Sequence, residues 1–354
     1  MMTAHAQAAT LPRSVPARPA PWVLAIAAGL GIATALACSS NSDPYNRLTT
    51  LRVLALRSEV YVDASHPEIG VTPAAVPAPG QSVRLSALIY TPPAGPTAPS
   101  GLDPTLTYAW SWCPFPGPAG QGYPCLVTKD EVAMVTAGTA PDLDLGHDPT
   151  ASFPHTIDPA LLEKNLCGGM GGMAALDCTG GVPIQIALVV KTASDQTGVR
   201  SVFTMRLGLL ATDANSNPAI SGLAAFQNGA PIAIDPANTN GVTLIRDVEN
   251  PLDLPSDLVN QSETYLGTDS SNQPAMVQER LFVTWFVETG DTKDQSTGLI
   301  VGSSDPQIFL HDTWTPAIVK KYPRTSARIL LVLRDNRAGV GWTEGQVNLA
   351  EAPQ

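Results

Sequence analysis

The stretch that decides the fold of this chain is Arg328-Ile329-Leu330-Leu331-Val332-Leu333-Arg334-Asp335-Asn336-Arg337-Ala338-Gly339. Its apolar run, Ile329–Leu333, is typical of a buried strand, and Asp335 and Gly339 are residues that favour a turn. The segment Gly341–Leu349 follows and predicts the strand that pairs with it. The stretch therefore predicts a β-hairpin near the end of the chain.

The same pattern occurs once before in the chain. Ile184–Val190 is followed by a turn with Asp195 and Gly198, and then by Val199–Leu209. An aromatic strand precedes each copy, with Tyr108, Trp110 and Trp112 in the first half and Phe282, Trp285 and Phe286 in the second. An inward Trp fills the gap between two packed sheets, so each half is predicted to be a β-sandwich.

The composition agrees with an all-β protein, since 33 Pro and 29 Gly accompany only 14% charged residues. One helix is predicted, over Pro159–Leu166, with Asp158 as its N-cap and Gly168 after its end. Further strands are predicted from alternation between turn residues. These are Leu51–Arg57, Val83–Ile89, Leu106–Trp112, Ile220–Phe226, Val242–Ile245 and Leu281–Val287.

The quoted stretch resembles the closing hairpin of PKD-type and other Ig-like domains. Leu106–Trp112 resembles the matching PKD strand, although Cys113-Pro114 stands where Gly-Asp-Gly normally follows. The resemblance implies two tandem Ig-like antiparallel β-sandwiches. A fold of this kind says little about function.

The first residues predict a secretory signal peptide. Arg13 and Arg18 precede the apolar run Trp22–Ala37, which has 16 residues. A basic start, a short apolar core and small residues before the cleavage site are typical of such a signal. The run is shorter than the roughly 20 residues that a permanent transmembrane helix needs.

The end of this run, Thr34-Ala35-Leu36-Ala37-Cys38, resembles the lipobox of bacterial lipoproteins, with Ala35 where that family more often has Leu. The resemblance implies that Cys38 becomes the lipidated N-terminus and anchors the protein to a membrane. Ser39 replaces the Asp that often retains such proteins at the inner membrane, so the outer membrane is expected. The alternative is an ordinary signal peptide with an incidental cysteine.

The spacing between the aromatic strand and the late turn, compared in the two halves, predicts the domain organisation. From Trp110 to Asp195 there are 85 residues, but from Trp285 to Asp335 only 50, so the first half carries an insertion at about 114–182. The predicted segments are a signal peptide at 1–37, a polar tether at 38–47, a first Ig-like domain at 48–211, a linker at 212–218 and a second Ig-like domain at 219–354.

Four cysteines remain after Cys38, and all of them fall in the insertion: Cys113, Cys125, Cys167 and Cys178. An even number in an exported chain predicts two disulfides. A nested scheme, Cys113–Cys178 with Cys125–Cys167, and a local scheme, Cys113–Cys125 with Cys167–Cys178, both remain open. Loop entropy separates them by only about 1–2 kcal/mol. In either scheme the disulfides constrain the insertion, which covers one end of the first sandwich.

The linker holds one weak candidate for calcium. Asp213, Asn215 and Asn217 have the Asp-x-Asn-x-Asn opening of a calcium loop. Pro218 stands where that loop needs Gly, and Ala224 stands where it needs a bidentate Glu. A solvated turn is the favoured interpretation.

A second acidic cluster, Asp142, Asp144 and Asp148, lies beside His147 in the insertion. Its oxygen ligands could bind calcium, but no glycine pattern supports the site. The histidines and cysteines have no zinc spacing, and no nucleophile elbow is present, so neither a cofactor nor a catalytic residue is predicted. The glycine-rich segment Gly168–Met173 lacks the Lys-Ser/Thr of a phosphate loop and is interpreted as a flexible loop.

Tyr108, Trp110 and Trp112 share one face of a strand and could stack on sugar rings. Three aromatic residues on one face are more often part of a core. Because Trp112 ends the strand next to Cys113, it is the residue predicted to reach a ligand-binding surface.

The charge of the chain limits its partners. The net charge is −11, and it becomes −13 when Arg13 and Arg18 leave with the signal. That balance argues against nucleic acid and against docking on anionic headgroups, which need clustered Lys and Arg.

Two functional hypotheses follow. The first is a lipid-anchored envelope protein with a binding, adhesion or structural role, which contacts an envelope protein or polysaccharide through loops 114–182. The second is an envelope hydrolase, such as a glycan-processing enzyme, with a site between the sandwiches or under the insertion. A pocket with converging carboxylates, or a metal near His147, would favour the hydrolase.

Overall fold

The computed structural model describes residues 44–95, 102–167, 178–195, 197–210, 213–227, 229–268, 273–299 and 307–353. The predicted signal peptide, the lipidation site Cys38, Ser39 and the loop Gly168–Met173 lie outside these residues. From Tyr45 onward the chain forms one unit. Among the described residues, no helix is long and apolar enough to span a bilayer.

The first half is an Ig-like β-sandwich, as predicted. Its sheets have the orders β1-β2-β5 and β4-β3-β6-β7, and neighbouring strands are antiparallel. These orders correspond to strands A-B-E and C′-C-F-G of an immunoglobulin sandwich. The strands are β1 (Arg52–Val60), β2 (Ser82–Tyr90), β3 (Thr107–Cys113), β4 (Asp144–Gly146), β5 (Ala151–Pro154), β6 (Val182–Lys191) and β7 (Val199–Leu207).

The second half repeats this plan with one difference, since its edge strand Thr243–Ile245 pairs in parallel with Val340–Ala350. Its sheets have the orders β10-β19-β18-β14-β16 and β15-β17-β11-β8-β9, so β14, β18 and β19 correspond to β3, β6 and β7. The strands are β8 (Ala224–Gln227), β9 (Ala230–Ala233), β10 (Thr243–Ile245), β11 (Asn250–Asp253), β12 (Thr264–Thr268), β13 (Pro274–Gln278), β14 (Phe282–Val287), β15 (Asp291–Thr292), β16 (Ser296–Gly298), β17 (His311–Thr315), β18 (Ser326–Arg334) and β19 (Val340–Ala350).

The aromatic strands fill the two cores, as expected. Trp110 and Trp285 are almost completely buried between the sheets of the first and second sandwich. Phe153 packs edge-on against Trp112, with ring centroids 5.3 Å apart. Burial of these large rings adds to the aliphatic contacts of each core.

The apolar run Ile329–Leu333 is continuous because both faces of β18 are covered. Ile329, Leu331 and Leu333 point into the core of the second sandwich. Leu330 and Val332 point the other way, into a third apolar cluster that the first sandwich completes. The members from the first half are Leu48, Leu54, Ala55, Leu88 and Tyr90. The two sandwiches therefore share a packed interface.

The predicted insertion at 114–182 needs correction. Two short strands of the sandwich, β4 and β5, lie within it, and 114–143, 147–150 and 155–181 lie outside the two sheets. Strands of three and four residues give too little alternation to be recognised in a sequence. We call residues 114–143 the first excursion and residues 155–181 the second excursion.

The helices are short, and two of the three described α-helices were not predicted. α1 (Lys129–Val135) starts with a capping box between Thr128 and Glu131. α2 (Pro159–Leu162) has the predicted N-cap at Asp158, but it continues as a π-helical turn over Glu163–Cys167. The remaining helices are α3 (Gln307–Leu310) and the 3-10 turns Pro67–Ile69, Ala119–Gln121 and Ser256–Gln261.

The tether prediction is wrong for residues 45–47. Tyr45 packs on Phe286 with ring centroids 5.7 Å apart, and Asn46 is 1% exposed. Main-chain hydrogen bonds join Asn46 and Leu48 to Val287 at 3.0 and 2.8 Å. The polar composition of this segment suggested that it is exposed to solvent, but its main-chain groups form hydrogen bonds with the second sandwich.

Candidate binding site between the two sandwiches

The disulfides have the local pairing, Cys113–Cys125 and Cys167–Cys178. The first disulfide ties the end of β3 to the first excursion. The second joins the two ends of the segment 168–177. Two disulfides indicate an extracytoplasmic protein, because they persist in oxidising compartments.

The ligand-surface prediction for Trp112 is wrong, since Trp112 is only 2% exposed. Its indole Nε1 donates to the carbonyl of Asp142 at 2.8 Å, and Nε1 of Trp110 donates to the carbonyl of Asp148 at 3.0 Å. The segment 142–148 lies over both rings and satisfies their N–H groups. The two indoles therefore hold this segment in place, as part of the core.

Asp142 and Asp144 take different partners, and Asp144 also lies 3.6 Å from Nε2 of His147. Asp142 forms an ion pair of 2.5 Å with Lys129. Asp144 accepts from the main chain of Gly146 at 2.9 Å, and His147 contacts the carbonyl of Tyr108 at 3.0 Å. In the described part of the chain, no group of three or more His, Cys, Asp or Glu residues is arranged to hold a metal ion.

Residues 213–218, here called the junction segment, join the two halves through side chains. Asp213 accepts from the main-chain N–H groups of Leu209 and Leu210 at 2.7 and 2.9 Å. Asn217 donates to the carbonyl of Ser58 at 2.7 Å and accepts from the N–H of Val340 at 2.9 Å. Ser58 lies in the first sandwich and Val340 in the second, so Asn217 bridges them.

Asn215 makes a similar bridge. It donates to Asp335 at 3.1 Å and is 2% exposed, while Asp213 is 8% exposed. The solvated-turn interpretation is therefore wrong for these two residues. The Asp-x-Asn-x-Asn pattern that suggested calcium instead supplies hydrogen bonds between the β18–β19 turn, β1 and the end of β7.

The β18–β19 turn is fixed by its own polar groups. Asp335 accepts from the N–H groups of Arg337 and Gly339 at 2.7 and 2.8 Å. A Cβ at Gly339 would lie 2.1 Å from Oδ2 of Asp335 and 2.8 Å from the carbonyl of Ser216. The junction segment thus approaches the turn so closely that only glycine fits.

Arg337 lies at the centre of a buried ionic group beside this turn. It pairs with Glu279 at 3.1 Å, donates to the carbonyl of Ala214 at 2.7 Å and stacks over Tyr265 at 4.6 Å. Burial raises the pKa of Glu279, and the nearby carboxylate of Asp335 adds to this effect. The group connects the hairpin of β12 and β13 to the junction segment.

A second ionic group lies deeper in the interface. Arg328 pairs with Glu288 at 3.0 Å, donates to the carbonyl of Thr91 at 3.1 Å and lies 4.8 Å over the ring of Tyr90. Burial raises the pKa of the Tyr90 hydroxyl, with a further contribution from Glu288. The ion pair itself lies within the second sandwich, and the contacts of Arg328 with Thr91 and Tyr90 connect it to the first sandwich.

Two recesses lie where the sandwiches meet. The first recess has a volume of about 410 Å³, and β1, β7 and the β18–β19 turn line it. The second recess has a volume of about 330 Å³ and lies between that turn, β12 and Thr179–Gly180. Both are lined by Arg206 and Asn336, so they are neighbours, and we refer to the pair of recesses as the cleft.

The cleft is lined by cations rather than by carboxylates. Arg206, Arg334 and Arg337 contribute to its walls. Among the described lining residues, Asp335 is the one carboxylate, and it already accepts three hydrogen bonds. The converging carboxylates that the hydrolase hypothesis requires are not found in the lining described here.

The register of β14 shows how far the cleft lies from Tyr45–Leu48, the segment that is hydrogen-bonded to the second sandwich. Phe282, at the start of β14, pairs with Arg334, just before the β18–β19 turn. Val287, at the other end, bonds to Asn46 and Leu48. Tyr45–Leu48 and the turn therefore lie about 17 Å apart along the strand.

No family model matches the chain, and no curated protein matches it. Solved structures that it matches include murine CEACAM1b, at 10% identity and a TM-score of 0.20, over 84% of this chain and all of that one. Another is the C-terminal domain of the AgI/II polypeptide BspA of Streptococcus agalactiae, at 9% identity and a TM-score of 0.17, over 83% of this chain and all of that one. With TM-scores this low, the Ig-like assignment rests on the strand orders alone.

The cleft was not predicted from the sequence. Asn336 and Arg334 belong to the stretch that predicts the closing hairpin, and Arg206 lies in β7, but nothing in their spacing indicates that they meet. The predicted site residues in 142–148 lie on β4 and beside it, outside both recesses.

Proposed function

We propose that this protein is an exported, lipid-anchored envelope protein that binds a partner through the cleft between its sandwiches. The observation that carries the proposal is the cleft itself, a cation-lined recess in a chain of net charge −11. Recesses of this size between domains are common ligand sites.

The rigid interface supports this role. One apolar cluster shared by both halves and two buried ionic groups fix the two halves to each other, so the walls of the cleft are preorganised. Preorganisation reduces the entropy lost when a partner binds. Binding, adhesion or a structural role requires no catalytic group.

Membrane attachment is proposed from the lipobox at Cys38. We expect cells expressing the full chain to incorporate labelled palmitate into it and to retain it in the outer-membrane fraction. Cys38→Ser should abolish labelling and release the protein into the soluble fraction. Unchanged labelling of Cys38→Ser would contradict the anchor and leave the cleft proposal untouched.

The cleft can be tested in cells with a photo-cross-linking residue at a single position. Asn336 is exposed at the point where the two recesses meet, whereas Lys320 is exposed outside the cleft. We expect a discrete cross-linked adduct from position 336 that is missing from position 320. Equal adducts at the two positions, or none at either, would contradict binding through the cleft.

A further inference from the structure

Two arginines on the outer face of the first sandwich share a single carboxylate. Oε1 of Glu59 lies 3.1 Å from Nη2 of Arg57, and Oε2 accepts a hydrogen bond of 2.8 Å from Nη2 of Arg84. Within the part of the chain that the structure describes, neither guanidinium has another salt bridge or hydrogen bond. Because arginine stays protonated, the three side chains together carry one uncompensated positive charge.

The strand register places these side chains next to Ser86. In the antiparallel pair of β1 and β2, Arg57 lies opposite Ser86 and Glu59 lies opposite Arg84. Residues two apart on one strand share a face, and so do residues directly opposite on neighbouring strands. The four residues therefore form one group on the face of the sheet, here called the arginine cluster.

Three polar atoms of the arginine cluster are buried without a partner. Nε of Arg57, Nε of Arg84 and Oγ of Ser86 have no hydrogen-bond partner among the described residues. The side chains of Arg57 and Arg84 are 22% and 36% exposed, so a ligand in solvent can reach their guanidinium groups. Water accepts hydrogen bonds from such groups, but it does not neutralise the excess charge.

Trp342 of the second sandwich fixes the position of Arg57. The guanidinium carbon of Arg57 lies 4.0 Å from the centroid of the indole ring. Burial lowers the pKa of Arg57, Glu59 opposes this effect, and the charge of Arg84 lowers the pKa further. Two like charges thus lie close together in a partly desolvated place, where an added anion relieves their repulsion.

The excess charge and the donors of the arginine cluster favour a carboxylate as the ligand. A guanidinium holds its N–H groups in one plane, and their spacing matches the two oxygens of a carboxylate. The hydroxyl of Ser86 is a further donor beside them. A carboxylate carries a single negative charge, which balances the excess, whereas a phosphate monoester carries more.

We propose that Arg57, Arg84 and Ser86 bind the carboxylate group of an external ligand. A sugar acid and the acidic group of a peptide share this chemistry, and they differ in the atoms around the carboxylate. The inference goes beyond the proposed function and does not rest on it, because neither recess of the cleft is lined by any of the three residues.

Nuclear magnetic resonance of the full chain in non-ionic detergent, with isotope-labelled arginine, tests the site. We expect the side-chain N–H signals of Arg57 and Arg84 to shift saturably when sodium acetate is added. The signal of Arg200, which is exposed on β7, should stay in place. Sodium chloride at the same ionic strength and neutral acetamide are the matched controls, and neither should produce a saturable shift.

Arg84→Gln should weaken acetate binding at least about tenfold, because it removes the excess charge together with its donors. Arg200→Gln is the matched control and should bind acetate as the unaltered chain does. Ser86→Ala removes one hydroxyl and should weaken binding about threefold to tenfold. If Arg84→Gln does not fold, Ser86→Ala still tests the site.

Two further probes distinguish the sources of the carboxylate. Glucuronate carries one carboxylate on a sugar ring, and N-acetylglycine carries one beside an amide group. Tighter binding of glucuronate than of acetate would assign the site to a sugar acid. Tighter binding of N-acetylglycine would assign it to a peptide.

Several outcomes would overturn the inference. The absence of a saturable shift with acetate, or an equal shift with chloride, would show that the arginine cluster binds no carboxylate. Tighter binding of inorganic phosphate than of acetate would replace the proposed class of ligand. Unchanged acetate binding in both Arg84→Gln and Ser86→Ala would place the bound acetate elsewhere. None of these results affects the cross-link at position 336, so failure here is distinct from failure of the cleft proposal.

Discussion

The side-chain amide of Asn215 donates a hydrogen bond of 3.1 Å to the carboxylate of Asp335, 120 residues further along the chain. Asn215 lies in the junction segment, and Asp335 begins the turn of the closing hairpin. Both are buried, at 2% and 8% exposure. This contact connects two features that are far apart in the sequence and fixes the position of the turn at the cleft.

Asn215→Ala should therefore lower the free energy of unfolding by about 1–3 kcal/mol, because it leaves the buried Asp335 with one donor fewer. Chemical denaturation of the full chain measures this change. Asn260→Ala, at an exposed position in a 3-10 turn, is the control and should stay within about 0.5 kcal/mol of the unaltered chain. Equal effects of the two substitutions would show that the contact is not structural.

Gly339→Ala should destabilise the hairpin turn strongly. The new Cβ would lie 2.1 Å from the carboxylate of Asp335 and 2.8 Å from the carbonyl of Ser216, and the latter is main chain that cannot simply move aside. We expect a loss of at least about 2 kcal/mol, as for other substitutions that force a backbone shift. Gly120→Ala has open space around its Cβ and should be nearly neutral. A stable Gly339→Ala variant would contradict the close approach of the junction segment.

Loss of the first disulfide should destabilise the excursion that it closes. Cys113 and Cys125 are 12 residues apart, and a loop of that size corresponds to about 3 kcal/mol of stabilisation. The variant Cys113→Ser/Cys125→Ser should show this loss in thermal or chemical unfolding. Peptide mapping without reduction should recover the pairs Cys113–Cys125 and Cys167–Cys178, and recovery of nested pairs would contradict the structure.

Asp312 should make stability depend on pH between about pH 4 and pH 6. The side chain is 5% exposed, its Oδ2 has no hydrogen-bond partner, and burial raises the pKa of its carboxyl to about 6. In the unfolded chain the pKa of an aspartate is about 3.9. The native state therefore binds the proton more tightly, and the free energy of unfolding should fall by about 3 kcal/mol as the pH rises through this window.

Asp312→Asn removes the charge and should flatten that part of the pH profile. The measurement is chemical denaturation at a series of pH values from 4 to 7, the upper limit being about one unit above the raised pKa. Asn260→Ala serves as a control that should keep the slope of the unaltered chain. A slope that persists in Asp312→Asn would assign the pH dependence to another group.

Much of the fold could be predicted from the sequence, because strand pairing leaves local marks. Ile329–Leu333 and Ile184–Val190 are apolar runs bounded by turn residues, and both form the predicted hairpins. β4 and β5 were missed because three or four residues carry too little alternation. α1 was missed although Thr128 and Glu131 form a capping box, a signal that the sequence does contain.

The cleft could not be predicted, for a different reason. Arg206, Arg334 and Asn336 come together only because the outer face of β18 packs against β1 and β2. The sequence marks this face through Leu330 and Val332, but an apolar run does not say which surface covers it. Asp213, Asn215 and Asn217 suggested an ion because the same oxygen and amide groups suit both calcium and a hydrogen-bonded junction.

The sequence by itself determined the all-β class and the two Ig-like sandwiches, because these depend on periodicity and turn residues. The tertiary structure alone decided the disulfide pairing, the burial of Trp112, the role of the junction segment and the existence of the cleft. These depend on contacts between residues that are distant along the chain. The free energy of such contacts comes from packing and desolvation in the folded state. The local sequence around a residue does not show which distant residues will pack against it.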